Sequence, residues 1–192
     1  MRCRQSRDRA ISALPRLWLV TDERIADDVL LASVAGLPRG GGIVFRHYSL
    51  GRHQRRDLFA RVRRIARRRR LMLFLAGSED AAIRWGCDGF HGRTGRKSVR
   101  LLRSAPVHNL HEIRAAERAG AHILFLSPLF PTRSHPGSAT LGRARFARLA
   151  RQTHVPVIAL GGVTKANARH LAGLGAFGWA AIDGLSVKSP HR

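Results

Sequence analysis

Cysteine and acidic charge are both scarce in this sequence. Only two of the 192 residues are cysteines, Cys3 and Cys87, and they show no metal-ligand spacing, so we expect neither a disulfide nor a cysteine metal site. Asp and Glu number 12 against 35 Lys and Arg, which gives a formal net charge of +23. Such a charge favours phosphorylated or polyanionic ligands. No apolar run is long enough to cross a membrane.

A secretory signal is also missing from the start of the chain. Residues 1–14 are basic and polar, and polar residues and a proline interrupt the segment that follows them. Hydrophobic residues make up 44% of the sequence, which is enough for one folded core. We therefore predict a flexible basic leader at 1–14, a single domain at 15–185, a loose tail at 186–192 and a cytoplasmic location.

The densest run of positive charge spans residues 61–70. A helix there would bury Leu58, Val62 and Ile65 on one side and project arginines from the other. Neither an aromatic platform nor a nucleic-acid motif accompanies the run, so we favour a solvated helix face over a nucleic-acid surface.

Short apolar segments alternate with helical patterns along the whole chain. Strands are predicted at 17–22, 42–46, 71–75, 88–91, 105–108, 122–127, 155–160 and 177–182. Helices are predicted at 25–37, 52–70, 79–85, in a short piece ending at 103, and at 109–119, 141–153 and 165–174. Eight such units predict a closed, compact (β/α)₈ TIM barrel, with a doubly wound open sheet as the alternative.

The seventh predicted strand ends in a glycine pair that is typical of phosphate sites. Gly161 and Gly162 let a ligand approach the backbone, and Thr164 would cap the helix predicted at 165–174. An ordinary strand-to-helix turn is the alternative. In a TIM barrel, however, phosphate sites commonly follow strands seven and eight, and this position favours the phosphate interpretation. The long loop at 128–140 is predicted to be a binding loop.

Six segments in order resemble the thiamine phosphate synthase family and its thiazole tautomerase relatives. They are Leu-Val-Thr-Asp at 19–22, Phe-Arg at 45–46, Gly-Cys-Asp-Gly-Phe-His at 86–91, Val-His-Asn-Leu-His-Glu at 107–112, Ser-Pro-Leu-Phe-Pro-Thr-Arg-Ser-His-Pro-Gly at 127–137 and Val-Ile-Ala-Leu-Gly-Gly-Val at 157–163. The resemblance implies a (β/α)₈ barrel of thiamin biosynthesis. Its members couple hydroxymethylpyrimidine diphosphate to a thiazole phosphate and release diphosphate with the help of Mg²⁺.

The resemblance also implies site residues around the barrel mouth. It assigns Arg46 a catalytic position against the diphosphate and Gly161–Gly162 to the thiazole phosphate. Thr132 and Arg133, on the loop after strand six, and His108, after strand five, complete the predicted substrate- and phosphate-binding set.

The positions that hold Mg²⁺ in the family differ here. Residues 76–77 are Ala-Gly where synthases carry Asn-Asp, and residues 92–96 contain no carboxylate. We therefore predict no metal ligands in this chain, although the resemblance implies Mg²⁺ as the cofactor. Arg93, Arg96 and Lys97 are candidates to neutralise the diphosphate as fixed cations.

Two alternative functions remain open at this point. A thiazole tautomerase is one, with His135 as general acid or base, because Pro128 stands where that subfamily has its histidine. The other is a binder of thiazole phosphate or thiamin phosphate without catalysis. Asp183 stands where the family has a phosphate-side serine, and it would repel a phosphate if its side chain pointed inward. Phosphorylated small molecules are the expected ligands, and a homo-oligomer remains open.

Overall fold

Eight parallel strands form a closed barrel in this protein. The structure is a computed structural model and describes residues 14–93, 100–132, 137 and 139–185. The strands are β1 (Leu17–Val20), β2 (Gly42–Phe45), β3 (Met72–Ala76), β4 (Gly89–His91), β5 (Leu102–Val107), β6 (Ile123–Leu126), β7 (Val157–Ala159) and β8 (Gly178–Ala181). Each strand pairs with the next, and β1 pairs with β8, which closes the barrel. The predicted (β/α)₈ TIM barrel is therefore confirmed over the open sheet.

Helices cover the outside of the barrel. Within the described residues they are α1 (Asp27–Gly36), α2 (Arg52–Arg69), α3 (Glu79–Trp85), α4 (Leu110–Arg118) and α5 (Gly142–Ala150), with 3₁₀ segments at Ala168–Leu171 and Asp183–Leu185. The arginine-rich α2 buries Leu58, Phe59, Val62 and Ala66 against the barrel, which agrees with the predicted amphipathic helix. No helix in the described ranges is long and apolar enough to cross a membrane.

Three aromatic rings fill the barrel interior. Trp18 is fully buried and meets Phe74 and Phe125 edge to face, with ring centroids 5.1 and 5.5 Å away. Its indole nitrogen donates to the carbonyl of Pro15 at 2.8 Å. Gly42 and Gly89 face these rings where any side chain would overlap Trp18 or Phe74. Large and small residues thus alternate to fill the barrel, as in other TIM barrels.

The prediction of a helical piece ending at Arg103 is wrong. Arg103 is the second residue of β5, and its side chain is fully buried in the barrel wall. Its guanidinium donates to the carbonyl oxygens of Ala119 at 2.9 Å and Arg93 at 3.1 Å. These hydrogen bonds offset the cost of burying the charge. The strand prediction depended on an apolar pattern, and the charged residue at position 103 interrupts that pattern.

The helix predicted at 165–174 is reduced to a turn and the short 3₁₀ segment. Thr164 and Asn167 bond reciprocally, with Thr164 N donating to Asn167 Oδ1 at 2.8 Å and Asn167 N donating to Thr164 Oγ1 at 3.3 Å. This local closure satisfies the backbone without a regular helix, because Asn and Thr side chains compete with helical hydrogen bonds.

Cys87 is buried, in agreement with its predicted core position, and burial raises the pKa of its thiol to about 12. The predicted leader and tail lie largely or wholly outside the described residues, as does Cys3. The domain limits therefore stay predictions.

Candidate active site at the barrel mouth

A cavity of about 790 Å³ opens at the carboxyl ends of the strands, a size suited to a small-molecule ligand. Loops after β2, β5, β6, β7 and β8 form its walls. The cavity is lined by Arg46, His108, Asn109, Ser127, Pro128, Pro131, Thr132, Ala139, Thr140, Leu141, Arg145, Leu160, Gly161, Gly162, Val163, Thr164, Ala181, Ile182, Asp183 and Gly184.

The glycine pair after β7 packs directly against the loop after β6. Gly161 has φ +94° and Gly162 φ +64°, and a Cβ on Gly161 would lie 2.7 Å from Pro128 Cα. A Cβ on Gly162 would overlap the Pro131 carbonyl oxygen and lie 2.8 Å from Phe130 Cβ. Only glycine satisfies both the left-handed backbone and the close approach of the neighbouring loop.

Hydrogen bonds hold this loop pair in one arrangement. Leu129 N donates to Leu160 O at 2.9 Å and Phe130 N donates to Gly161 O at 3.0 Å. The side-chain amide of Asn167 donates to Gly162 O at 2.8 Å. The loop carbonyls are thereby occupied from within the protein.

The backbone N–H groups of the same loop find no acceptor among the residues that the structure describes. Among the described residues, no hydrogen bond uses the N–H of Gly161, Gly162 or Val163. Val163 is only 2% exposed, and an N–H in such a position needs an acceptor. A row of free N–H groups beside a cavity suits the oxygens of a phosphate.

Arg46 stands at the end of β2 and contributes the cationic side of the cavity. Its backbone N donates to Thr21 Oγ1 at 2.9 Å, and its carbonyl oxygen accepts from Arg55 Nε and Nη2. Its guanidinium lies 5.8 Å from the ring centre of Tyr48. The main chain of Arg46 is therefore held by Thr21, which follows β1, and by Arg55 in α2, while its half-buried side chain lines the cavity.

His91 ends β4 beside the cationic residues of the mouth. Its Nδ1 lies 2.9 Å from Ser104 Oγ, and its ring packs edge to face on Phe125 at 5.1 Å. Burial, followed by the positive charges of Arg46 and Arg93, lowers the pKa of His91 to about 3. His91 is therefore a neutral imidazole throughout the physiological pH range.

His108 follows β5 and belongs to a charged group. Its Nδ1 lies 2.8 Å from Glu112 Oε2 and 3.1 Å from Arg93 Nη2. Burial alone would raise the pKa of Glu112, but the hydrogen bonds and charge of His108 and the charge of Arg93 lower it. Glu112 thus stays ionised and orients His108.

Asp183 lines the cavity in the 3₁₀ segment after β8. Its Oδ1 lies 3.8 Å from Arg24 Nη2, and the same guanidinium bonds Asp22 at 2.7 Å through Nε. Arg24 therefore offsets part of the negative charge that Asp183 would present to a bound phosphate.

The residues present do not fit the family's Mg²⁺ site. Ala76 is apolar and 1% exposed, and Gly77 has φ +149°, a backbone conformation that an aspartate rarely adopts. Gly92 and Arg93 follow β4 without a carboxylate. Within the described ranges, no three His, Cys, Asp or Glu side chains cluster as metal ligands would. No step is therefore assigned to a metal here.

Five of the predicted site residues line the one cavity: Arg46, His108, Thr132, Gly161 and Gly162. The structure brings them together from four loops, while their roles stay predictions. Arg133 and His135 lie outside the described residues, as do Arg96 and Lys97.

Sequence reasoning missed three residues that shape the site. Asn167 holds the glycine loop, Arg55 holds the main chain of Arg46, and Arg145 lines the cavity from the start of α5. The spacing of Thr164 and Asn167 was a usable sign of a capped turn. Arg55 and Arg145 carry no such sign, because each lies among many arginines in a helix.

Comparisons with known proteins agree with this architecture. Residues 17–185 match the family described as thiamine monophosphate synthase. The thiamine biosynthesis bifunctional protein ThiED of Geobacter sulfurreducens is 28% identical over 191 residues, covering 94% of this chain but only 38% of that relative. The putative thiamine-phosphate synthase 2 of Aquifex aeolicus is 26% identical over 180 residues, covering 88% of this chain and 97% of the relative.

A solved structure has the same fold. The thiamine phosphate pyrophosphorylase from Pyrococcus furiosus superposes with a TM-score of 0.77 at 23% identity, over 93% of this chain and 91% of that one. Because the family match extends over all eight strands, the chain belongs to the thiamine monophosphate synthase family.

Proposed function

We propose that this protein is a thiamine phosphate synthase that works at the barrel mouth. It couples hydroxymethylpyrimidine diphosphate to thiazole phosphate and releases diphosphate. The observation that carries the proposal is the single cavity in which Arg46 lies on one wall and the Gly161–Gly162 loop on another. Two anion-binding elements on one cavity suit a reaction whose two substrates both carry phosphate groups.

The reaction breaks one bond and forms another. The bond between the pyrimidine methylene carbon and the diphosphate oxygen breaks, and the electron pair leaves with the diphosphate. The thiazole nitrogen then donates its lone pair to that carbon. Arg46 stabilises the charge that develops on the leaving oxygens, and the N–H groups of the glycine loop hold the thiazole phosphate in line for attack.

Direct product analysis tests this proposal. The purified protein is incubated with both substrates, with and without added Mg²⁺, and thiamin phosphate and diphosphate are quantified. We expect equal amounts of the two products and a strong loss of rate in Arg46→Gln. Rescue of a thiamin-requiring strain that lacks its synthase is the matching test in cells. Absence of product in both conditions, with failure to rescue, would refute the synthase function.

A binder without catalysis is the second candidate, because Ala76 and Gly77 occupy the family's metal positions. This candidate predicts calorimetric binding of thiazole phosphate or thiamin phosphate without product formation. Binding should then be lost in a Gly162→Ala variant. Turnover of both substrates would exclude it.

A further inference from the structure

The ends of β3 and β4, which would face a metal-bound diphosphate, carry no carboxylate in this chain. Gly77 N donates to His91 O at 3.1 Å, and Gly92 N donates to Ser104 O at 3.0 Å, so the backbone continues the barrel pairing past β3 and β4. A Cβ on Gly92 would lie 3.4 Å from Gly77 O. A side chain at Gly77 would instead be disfavoured by its φ of +149°, and neither Gly77 nor Gly92 offers a carboxylate to an ion.

Cations stand around the same strand ends. Arg46 follows β2 and Arg93 follows β4, and both positive charges act on His91. Arg93 also contacts the edge of the cavity through His108, with 3.1 Å between Nη2 and Nδ1. The two guanidinium groups thus border the same cavity, Arg46 in its lining and Arg93 through its contact with the lining residue His108.

The main chain at Arg93 is anchored from inside the barrel wall. The fully buried guanidinium of Arg103 donates from Nη2 to Arg93 O at 3.1 Å, and from Nη1 to Ala119 O at 2.9 Å. It also lies 5.7 Å from the ring centre of Phe90. The charge-assisted hydrogen bond from Arg103 therefore fixes the main chain from which the side chain of Arg93 projects.

We propose that this barrel binds the diphosphate group through Arg46 and Arg93 at the cavity edge, without a divalent cation. Arginine forks match phosphate oxygens in pairs and keep their charge at every working pH. The inference rests on the proposed function for its ligand, while its test needs no catalysis.

Binding of inorganic diphosphate is the direct test. Titration calorimetry is run on the full chain in excess EDTA and again in excess Mg²⁺. We expect dissociation constants that agree within about threefold, and a loss of at least about tenfold in Arg93→Gln, which corresponds to roughly 1.4 kcal/mol. Arg46→Gln should lose a similar factor.

Arg68→Gln is the matched control, because Arg68 is exposed in the last turn of α2 and its loss lowers the net charge equally. Its affinity should stay within about twofold of the parent. Binding only with Mg²⁺, equal losses in Arg68→Gln and Arg93→Gln, or no binding in either buffer would each overturn the proposal. Near-ultraviolet circular dichroism verifies that each variant is folded.

The two proposals fail separately. Diphosphate binding that requires Mg²⁺, together with turnover, overturns metal-free binding and leaves the synthase function intact. Diphosphate binding in EDTA without any turnover supports metal-free binding and overturns the synthase function.

Discussion

The guanidinium of Arg55 donates two hydrogen bonds to the carbonyl oxygen of Arg46, at 3.0 Å from Nε and 2.8 Å from Nη2. Nη2 also donates to Ala76 O at 2.9 Å. A helix side chain thereby ties the ends of β2 and β3 together. It also sets the main chain from which the cavity-lining arginine projects.

Replacement of Arg55 by Met should therefore weaken both stability and ligand binding. The change keeps an unbranched side chain but leaves two partly buried carbonyls without donors, at a cost of about 1–3 kcal/mol in the free energy of unfolding. Urea unfolding measures this loss, and calorimetry with diphosphate measures the loss of affinity. Arg52→Met, at the exposed first residue of the same helix, should change stability by less than about 0.5 kcal/mol. Equal effects of the two substitutions would contradict the role given to Arg55.

Gly162→Ala should abolish binding of thiazole phosphate. The new methyl group would overlap Pro131 O and Phe130 Cβ, so the two loops that shape the phosphate site would have to separate. Titration of the variant with thiazole phosphate measures the affinity.

Gly40→Ala separates the steric effect from backbone strain. Gly40 has φ +77°, close to that of Gly162, but a Cβ there would have no atom within 4 Å. Both variants should lose about 1 kcal/mol or more of stability to the left-handed backbone, while Gly40→Ala keeps full affinity. Retained affinity in Gly162→Ala would show that the phosphate binds elsewhere.

The stability of the protein should fall as the pH is lowered from about 6.5 towards 3. In the folded protein the pKa of His91 is about 3, against 6.5 for the ordinary group, so the unfolded chain binds a proton that the folded one does not. Stability therefore rises with pH across this window, by up to about 1.4 kcal/mol per pH unit for one proton. Above 6.5 the contribution of His91 is complete.

His91→Gln should flatten this dependence. Glutamine retains a polar group for Ser104 but does not titrate, so the slope of unfolding free energy between pH 6 and pH 4 should decrease by up to about one proton. Titrating carboxyl groups act equally in both proteins and cancel in the comparison. His53→Gln, on the exposed side of α2, should leave the slope unchanged. An unaltered slope in His91→Gln would mean that His91 is protonated in the folded state.

Gly42→Ala should destabilise the barrel by about 1–3 kcal/mol through overpacking. The added methyl group would lie 2.6 Å from Trp18 Cζ3, and Trp18 is fully buried with its ring against Phe74 and Phe125. Thermal unfolding is the measurement. Gly36→Ala, where a Cβ would have no atom within 4 Å, should be neutral or stabilising by up to about 1 kcal/mol. A neutral Gly42→Ala would contradict the packing role of Trp18.

Sequence periodicity was a good guide wherever a segment's own residues decide its structure. The strands of Ile43-Val44-Phe45 and Leu124-Phe125-Leu126 are buried on both faces and read as continuous apolar runs. α3 begins and ends where predicted, because Ser78 caps it and Gly86 follows it. The same reasoning failed at Arg103. Its charged side chain can occupy a buried strand position because it donates to the carbonyl oxygens of Ala119 and Arg93, which the local sequence pattern does not reveal.

By itself the sequence determined the order of the eight strands and the closed barrel that this order implies, and it predicts a phosphate site at the glycine pair. Those properties follow from local periodicity and from the conformational freedom of glycine, which short segments carry alone. Only the tertiary structure decided which N–H groups of the glycine loop have no acceptor within the described part of the chain. It also decided that Arg55 and Asn167 hold the loops and that Arg93 joins Arg46 near His91. These relations depend on contacts between residues that barrel closure brings together, and no local pattern encodes them.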